Sequence, residues 1–114
     1  MKEENCIFCK IVAGEIPSKK VYEDDTVVAF YDVAPAAPVH VLVIPKDHTM
    51  ESARDITADN AALITHIYEV IARLARELGL DGGYRVVTNA GPDAGQTVMH
   101  LHFHLLGGKL GPMA

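Results

Sequence analysis

Hydrophobic and polar positions alternate most regularly near the end of the chain, where His100-Leu101-His102-Phe103-His104-Leu105-Leu106 sets three imidazoles between large apolar side chains. A period of two predicts a half-buried β-strand, with His100, His102 and His104 on one face and Leu101, Phe103 and Leu105 turned into a core. Upstream, strands are expected over 19–23 and 26–31 around a tight turn at Asp24-Asp25, over 39–44, which is apolar almost throughout as a central strand should be, and over 84–88. A period of 3.6 is sustained once: Thr57 as N-cap with Asn60 three residues on, then Leu63, Ile67, Val70, Ile71, Leu74 and Leu78 up to Gly79, predict one long amphipathic helix. His66 lies off that apolar stripe and reads as a solvated residue. A shorter helix is expected over 6–13, with Ile7, Phe8 and Ile11 on one side and Gly14 as its stop. Residues 34–38, rich in proline, form an extended connection, and 89–96 a glycine-containing loop. Short turns and a single long helical excursion make this an α+β fold: a five-stranded antiparallel sheet with one long and one short helix.

With 114 residues and 49% hydrophobic content, the chain is expected to form one domain over 1–114, large enough to bury a core without disulfides or metal. A formal net charge of -5 argues against nucleic-acid polymers as partners, whose binding leaves a basic footprint. No stretch approaches the ~20 apolar residues that span a bilayer, and the polar start lacks the parts of a secretion signal, so no membrane association and a cytoplasmic location are expected.

The histidine row focuses the chemistry. Neutral imidazole is a competent nucleophile near pH 7, and a hydrogen bond to one ring nitrogen selects the tautomer that leaves the other reactive. Positions two apart on a strand are separated by ~6.6 Å, so His100 and His104 stand ~13 Å apart at the backbone and three-histidine ligation of one ion is disfavoured. The loop before them, through Asn89, Gly95 and Thr97, could offer backbone amides and a hydroxyl to an anion. Strict alternation places Thr97 opposite His102, so this role requires an irregular backbone there. The only cysteines, Cys6 and Cys9, form a Cys-x-x-Cys pair. It suits a closed zinc site completed by His48 and His100, two inert reduced thiols, or a redox pair without its usual βαβ context.

The His-x-His-x-His run with Asn89-Ala90-Gly91 and Gly95-Gln96-Thr97 before it resembles the histidine triad (HIT) family of nucleotide-binding proteins. Cys6-Ile7-Phe8-Cys9-Lys10-Ile11, Gly14-Glu15-Ile16-Pro17-Ser18, Phe30-Tyr31-Asp32, Pro38-Val39-His40, Val43-Ile44-Pro45-Lys46 and Leu106-Gly107-Gly108 resemble its Hint branch. The resemblance implies a homodimer whose sheets join, and hydrolysis of purine nucleoside phosphoramidates without a catalytic cofactor. His102 would attack the α-phosphorus and form a nucleotidyl intermediate. His104 would attend the phosphate and leaving group, and His40 would support the nucleophile by hydrogen bonding. Asp32 would accept from the ribose hydroxyls, Asn89, Gly95 and Thr97 would lie beside the phosphate, and Ile7, Phe8, Ile11, Phe30, Val33 and Leu42 would line the base pocket. Cys6, Cys9, His48 and His100 match the ligands of a structural zinc. A dinucleoside polyphosphate hydrolase and a purine-nucleotide-binding regulatory module are the rival readings. Thr97 stands where the branch commonly has serine, Met99 where an aromatic is usual, and the tail after Gly108 is short and lacks an aromatic, which bears on the leaving-group side of the site.

Overall fold

The computed structural model describes residues 5–112; the polar start at 1–4 and the final two residues of the tail lie outside them. Five strands, β1 (Lys20–Glu23), β2 (Val27–Tyr31), β3 (Val39–Pro45), β4 (Tyr84–Val87) and β5 (Phe103–Gly107), form one sheet in the order β1-β2-β3-β5-β4. Every pairing is antiparallel. Helix α1 (Ile7–Val12) precedes the sheet and α2 (Ala61–Glu77) separates β3 from β4. The last strand enters between β3 and β4, which carries His104 to the middle of the sheet, with Leu42 of β3 opposite it.

Each face of the sheet has its own helix, which explains why β2 and β3 read as continuous apolar runs. Toward α2, alternate residues Val27, Ala29, Val41, Val43, Phe103 and Leu105 bury against Ile67, Val70, Ile71 and Leu74. Toward α1, the intervening Val28, Phe30, Leu42 and Ile44 bury against Phe8, Cys9 and Ile11. His40 and His104, two of the candidate site residues, stand on this second face.

Three expectations are adjusted. The histidine run is regular strand only from Phe103; residues 98–100 bend, and the Leu101 amide donates to the Met50 carbonyl at 3.0 Å instead of to a neighbouring strand. Alternation survives because Leu101 still enters the α2-side core. Thr57 does cap, with Asn60 closing the reciprocal box, but it caps a 3₁₀ turn (Ala58–Asn60) that leads into α2 at Ala61. His66 is half-buried and bonded, with Nε2 2.6 Å from Asp24 Oδ2, across 42 residues of sequence. Asp24 also accepts from the Thr26 and Val27 amides, each at 2.8 Å, and from the Tyr22 hydroxyl at 2.7 Å. Burial opposes ionisation of Asp24, but these donors outweigh it and hold the carboxyl well below the usual carboxylate range.

Candidate active site

The irregular backbone before β5 presents His102 in one defined tautomer. Its Nδ1 lies 2.8 Å from the His100 carbonyl oxygen, which can only accept, so Nδ1 carries the proton and Nε2 keeps its lone pair. The same segment is held by the Thr88 hydroxyl, which donates to the His102 carbonyl at 2.7 Å. The His102 ring meets the edge of Phe8 with centroids 5.0 Å apart. Burial pulls its pKa below the ordinary histidine value, opposed in part by the His100 carbonyl and the Asp32 charge, so the imidazole is neutral at pH 7.

A second hydrogen-bonded chain fixes His104. The Ala36 amide donates to His40 Nδ1 at 3.0 Å, so neutral His40 carries its proton on Nε2. That N–H donates to His104 Nδ1 at 2.8 Å, and Asp32 Oδ2 lies 3.5 Å from the same nitrogen. His104 is thereby left with its N–H on Nε2. Burial first, then the neighbouring His102 and His40, lower the His104 pKa to about 4. Asp32, His40 and His104 come close enough together to be weighed as metal ligands. However, nitrogens sharing one tetrahedral ion stand roughly 3.3 Å apart, and a 2.8 Å contact is a hydrogen bond between them. The group therefore reads as a hydrogen-bonded chain that orients His104.

A cavity of about 330 Å³ opens beside these histidines, lined on one side by α1 and on the other by the sheet. It gathers Ile7, Phe8, Ile11, Phe30, Asp32, Val33, Leu42, Thr97, His102 and His104. Val33 is 98% exposed, at its rim. Asp32 Oδ1 accepts from the Ala34 amide at 2.8 Å, which fixes the carboxylate. His40 stands behind His104 and is bonded to it, not to His102. Asn89 and Gly95 lie in the preceding loop and are not among the lining residues. Gln96 fastens that loop: buried, it accepts from the Gly91 amide and donates to the Glu51 and Val98 carbonyls. Gly91 favours glycine, since its φ of 92° lies in the region that L side chains rarely adopt. The periodicity of the sequence signalled neither Gln96, Thr88 nor Ala36, because their parts depend on contacts far along the chain or on backbone atoms.

At the other end of the histidine segment, Cys6, Cys9, His48 and His100 converge, with one ligand atom of each within 4.8 Å of the others. Cys6 caps α1, its Sγ accepting from the Cys9 amide, so the helix itself sets the spacing of the two thiols. His100 Nδ1 lies 3.3 Å from Cys6 Sγ and 3.6 Å from Cys9 Sγ, and His48 Nδ1 lies 3.3 Å from Cys9 Sγ. The edge of a tetrahedron around a thiolate- and imidazole-bound zinc is roughly 3.6 Å, so the donors are preset close to that geometry. His100 Nε2 donates to the Pro45 carbonyl at 2.8 Å, which leaves Nδ1 as a lone pair turned to the thiols, the orientation a ligand histidine needs. Burial pushes the Cys6 thiol up and the His100 imidazole down to about 4. These four residues could hold a metal ion.

Residues 13–111 match the model of the HIT domain. An uncharacterized HIT-like protein of Synechococcus elongatus is 52% identical over 106 residues, which span 93% of this chain and 92% of that protein. Among solved structures, a histidine triad protein from Clostridium difficile superposes with a TM-score of 0.94 at 51% identity, covering 100% of this chain and 99% of that one. A HIT family hydrolase from Clostridium thermocellum does so with a TM-score of 0.94 at 49% identity, covering 98% of both chains. With the family match spanning most of the sequence and relatives of this identity covering nearly all of it, the chain belongs to the HIT domain family.

Proposed function

We propose that the protein is a hydrolase of the Hint branch that cleaves the P–N bond of purine nucleoside 5'-phosphoramidates by nucleophilic catalysis at His102. The observation that carries the reading is the His102 tautomer: a neutral imidazole whose Nδ1–H is bound to a carbonyl, with the Nε2 lone pair left at the cavity beside a second histidine. The likeness to a relative described as a HIT family hydrolase supports the reaction class.

In this mechanism the purine and ribose occupy the apolar cavity, with the ribose hydroxyls donating to Asp32 and the α-phosphate beside Thr97 and His104. His102 Nε2 attacks phosphorus and the P–N electron pair passes to nitrogen, which takes a proton from solvent and leaves as the amine while the His104 Nε2–H hydrogen-bonds the phosphoryl oxygen. The two tethered groups react at high effective concentration. Water then attacks the phosphorus of the nucleotidyl-histidine, giving its hydroxide to phosphorus and its proton to solvent. The products are the amine and a nucleoside monophosphate, with His102 restored. Cys6, Cys9, His48 and His100 would hold a zinc that ties α1 to the sheet and takes no part in these steps.

Turnover of an adenosine phosphoramidate by wild type and by His102→Ala tests the assignment. The variant is expected to fall by at least about 10³-fold, as for loss of a covalent nucleophile; equal turnover sinks the mechanism. Cleavage of dinucleoside polyphosphates at a greater kcat/KM than phosphoramidates would move the substrate class to the P–O–P bond, and tight AMP binding with neither cleavage would leave a regulatory module.

A further inference from the structure

Beyond Thr97, two hydroxyl-bearing residues line the cavity, Ser18 and Tyr31, and of these Ser18 has a buried Oγ without a partner among the described residues. Ser18 lies in the connection between α1 and β1 and lines the cavity together with Ile16 and Pro17. A buried hydroxyl left unpaired costs about 1–3 kcal/mol, and replacing it by a methyl group is neutral or favourable when nothing else uses it. Of the other residues lining the cavity, Ile16, Pro17, Phe8, Phe30 and Leu42 offer no side-chain donor or acceptor, and Tyr31 and Asp32, which do, are not bonded to it.

Its place in the ladder shows what could reach it. The Tyr31 amide donates to the Lys19 carbonyl at 3.0 Å, extending the β1–β2 pairing beyond Lys20–Phe30 and bringing Ser18 alongside the Asp32 end of β2. His104 is on β5, and β3 and β2 lie between it and the Ser18 segment. Three strand spacings of ~4.8 Å separate the two, roughly 14 Å at the backbone and less between side chains. A nucleotide with its phosphorus at His102 and its ribose at Asp32 would place its base in the remaining apolar part of the cavity, with the ring edge directed toward Ser18.

We infer that Ser18 is a specificity-determining residue that hydrogen-bonds the edge of the bound base, its hydroxyl turning about Cα–Cβ to meet a ring nitrogen or exocyclic group. This rests on the nucleotide reading of the cavity and adds to it: the ligands selected are those whose ring carries a hydrogen-bonding edge, over apolar rings of the same shape.

Calorimetric titration of wild type and Ser18→Ala with AMP and with ribose 5-phosphate tests this. Ser18→Ala is expected to weaken AMP about three- to tenfold, the range of one net neutral hydrogen bond, and to leave ribose 5-phosphate unchanged. Its melting temperature is expected to stay level or rise, because the apo protein loses only an unpaired hydroxyl. AMP binding unchanged in the variant overturns the proposal while leaving the nucleotide reading intact, as does equal weakening of both ligands, which would put Ser18 on the sugar phosphate. Failure of AMP to bind wild type at all overturns both.

Discussion

The histidines of this site differ by what the second nitrogen of each ring touches. His102 and His100 both give a proton to a backbone carbonyl, but through opposite nitrogens, Nδ1 in one and Nε2 in the other. The free lone pair therefore faces the cavity in the first and the two thiols in the second. His104 receives a hydrogen bond where those two donate. This arrangement works only while His104 is neutral, because an added proton on Nδ1 would face the His40 N–H. Burial and its imidazole neighbours hold its pKa at about 4, against ~6.5 for an unfolded histidine. Between those values the unfolded chain binds the extra proton, so this residue makes stability rise with pH across the window and fall as pH drops from ~6.5 toward 4. The slope it can add is at most about 1.4 kcal/mol per pH unit, less to the extent that solvent screens the ring. Urea unfolding at pH 7, 6 and 5 is expected to show a shallower loss for His104→Gln than for wild type. Parallel curves would contradict the assignment, since the rest of the chain is the same in both proteins.

At the level of elements, the apolar periods made most of the sheet and α2 legible, because burial on two faces leaves its mark in every other residue of β2, β3 and β5. What the periods could not carry was contact across long separations. The bend before Phe103 is set by the Met50 carbonyl, the His66 contact by Asp24 in a hairpin turn 42 residues away, and the fastening of the loop by Gln96 reaching to Glu51. The order of the strands is likewise a tertiary outcome, and it leaves two edges of different character. β1 is irregular, its register shifting between Lys20 and Tyr22, and a bulge of this kind discourages further pairing. β4 pairs regularly with β5, has no proline, and carries the exposed ring of Tyr84. A regularly paired edge without proline can take a second copy, and on this ground the protein is expected to dimerise by antiparallel pairing of β4. Light scattering is expected to give twice the mass of one chain, and Val86→Pro, which removes a strand N–H, to lower the dimer fraction. A monomer at micromolar wild-type concentration, with nucleotide binding intact, would refute it.

Across the whole molecule, the two clusters share one structural part. Helix α1 brings Cys6 and Cys9 to the candidate metal centre and Ile7, Phe8 and Ile11 to the wall of the cavity. Six residues cannot sustain an isolated helix in water, so its position must come from tertiary contacts and from whatever joins the two thiols to His48 and His100. A metal bridging these ligands would tie residues 6–9, 48 and 100 together in the folded chain, and its binding free energy would add to the stability of that state. The histidine segment lies between centre and cavity: His100 holds its Nδ1 toward the thiols while its carbonyl fixes the tautomer of His102. Metal occupancy is therefore expected to act on nucleotide affinity as well as on stability, without any contact between ion and substrate. Purified protein is expected to contain one zinc per chain, lost in Cys6→Ser. Stripping the metal with a chelator should lower the melting temperature by several degrees and weaken AMP binding, and both should return when zinc is added back. An untreated protein that carries no metal, melts unchanged by chelator and has both thiols open to alkylation would instead assign Cys6 and Cys9 to the apolar packing of α1.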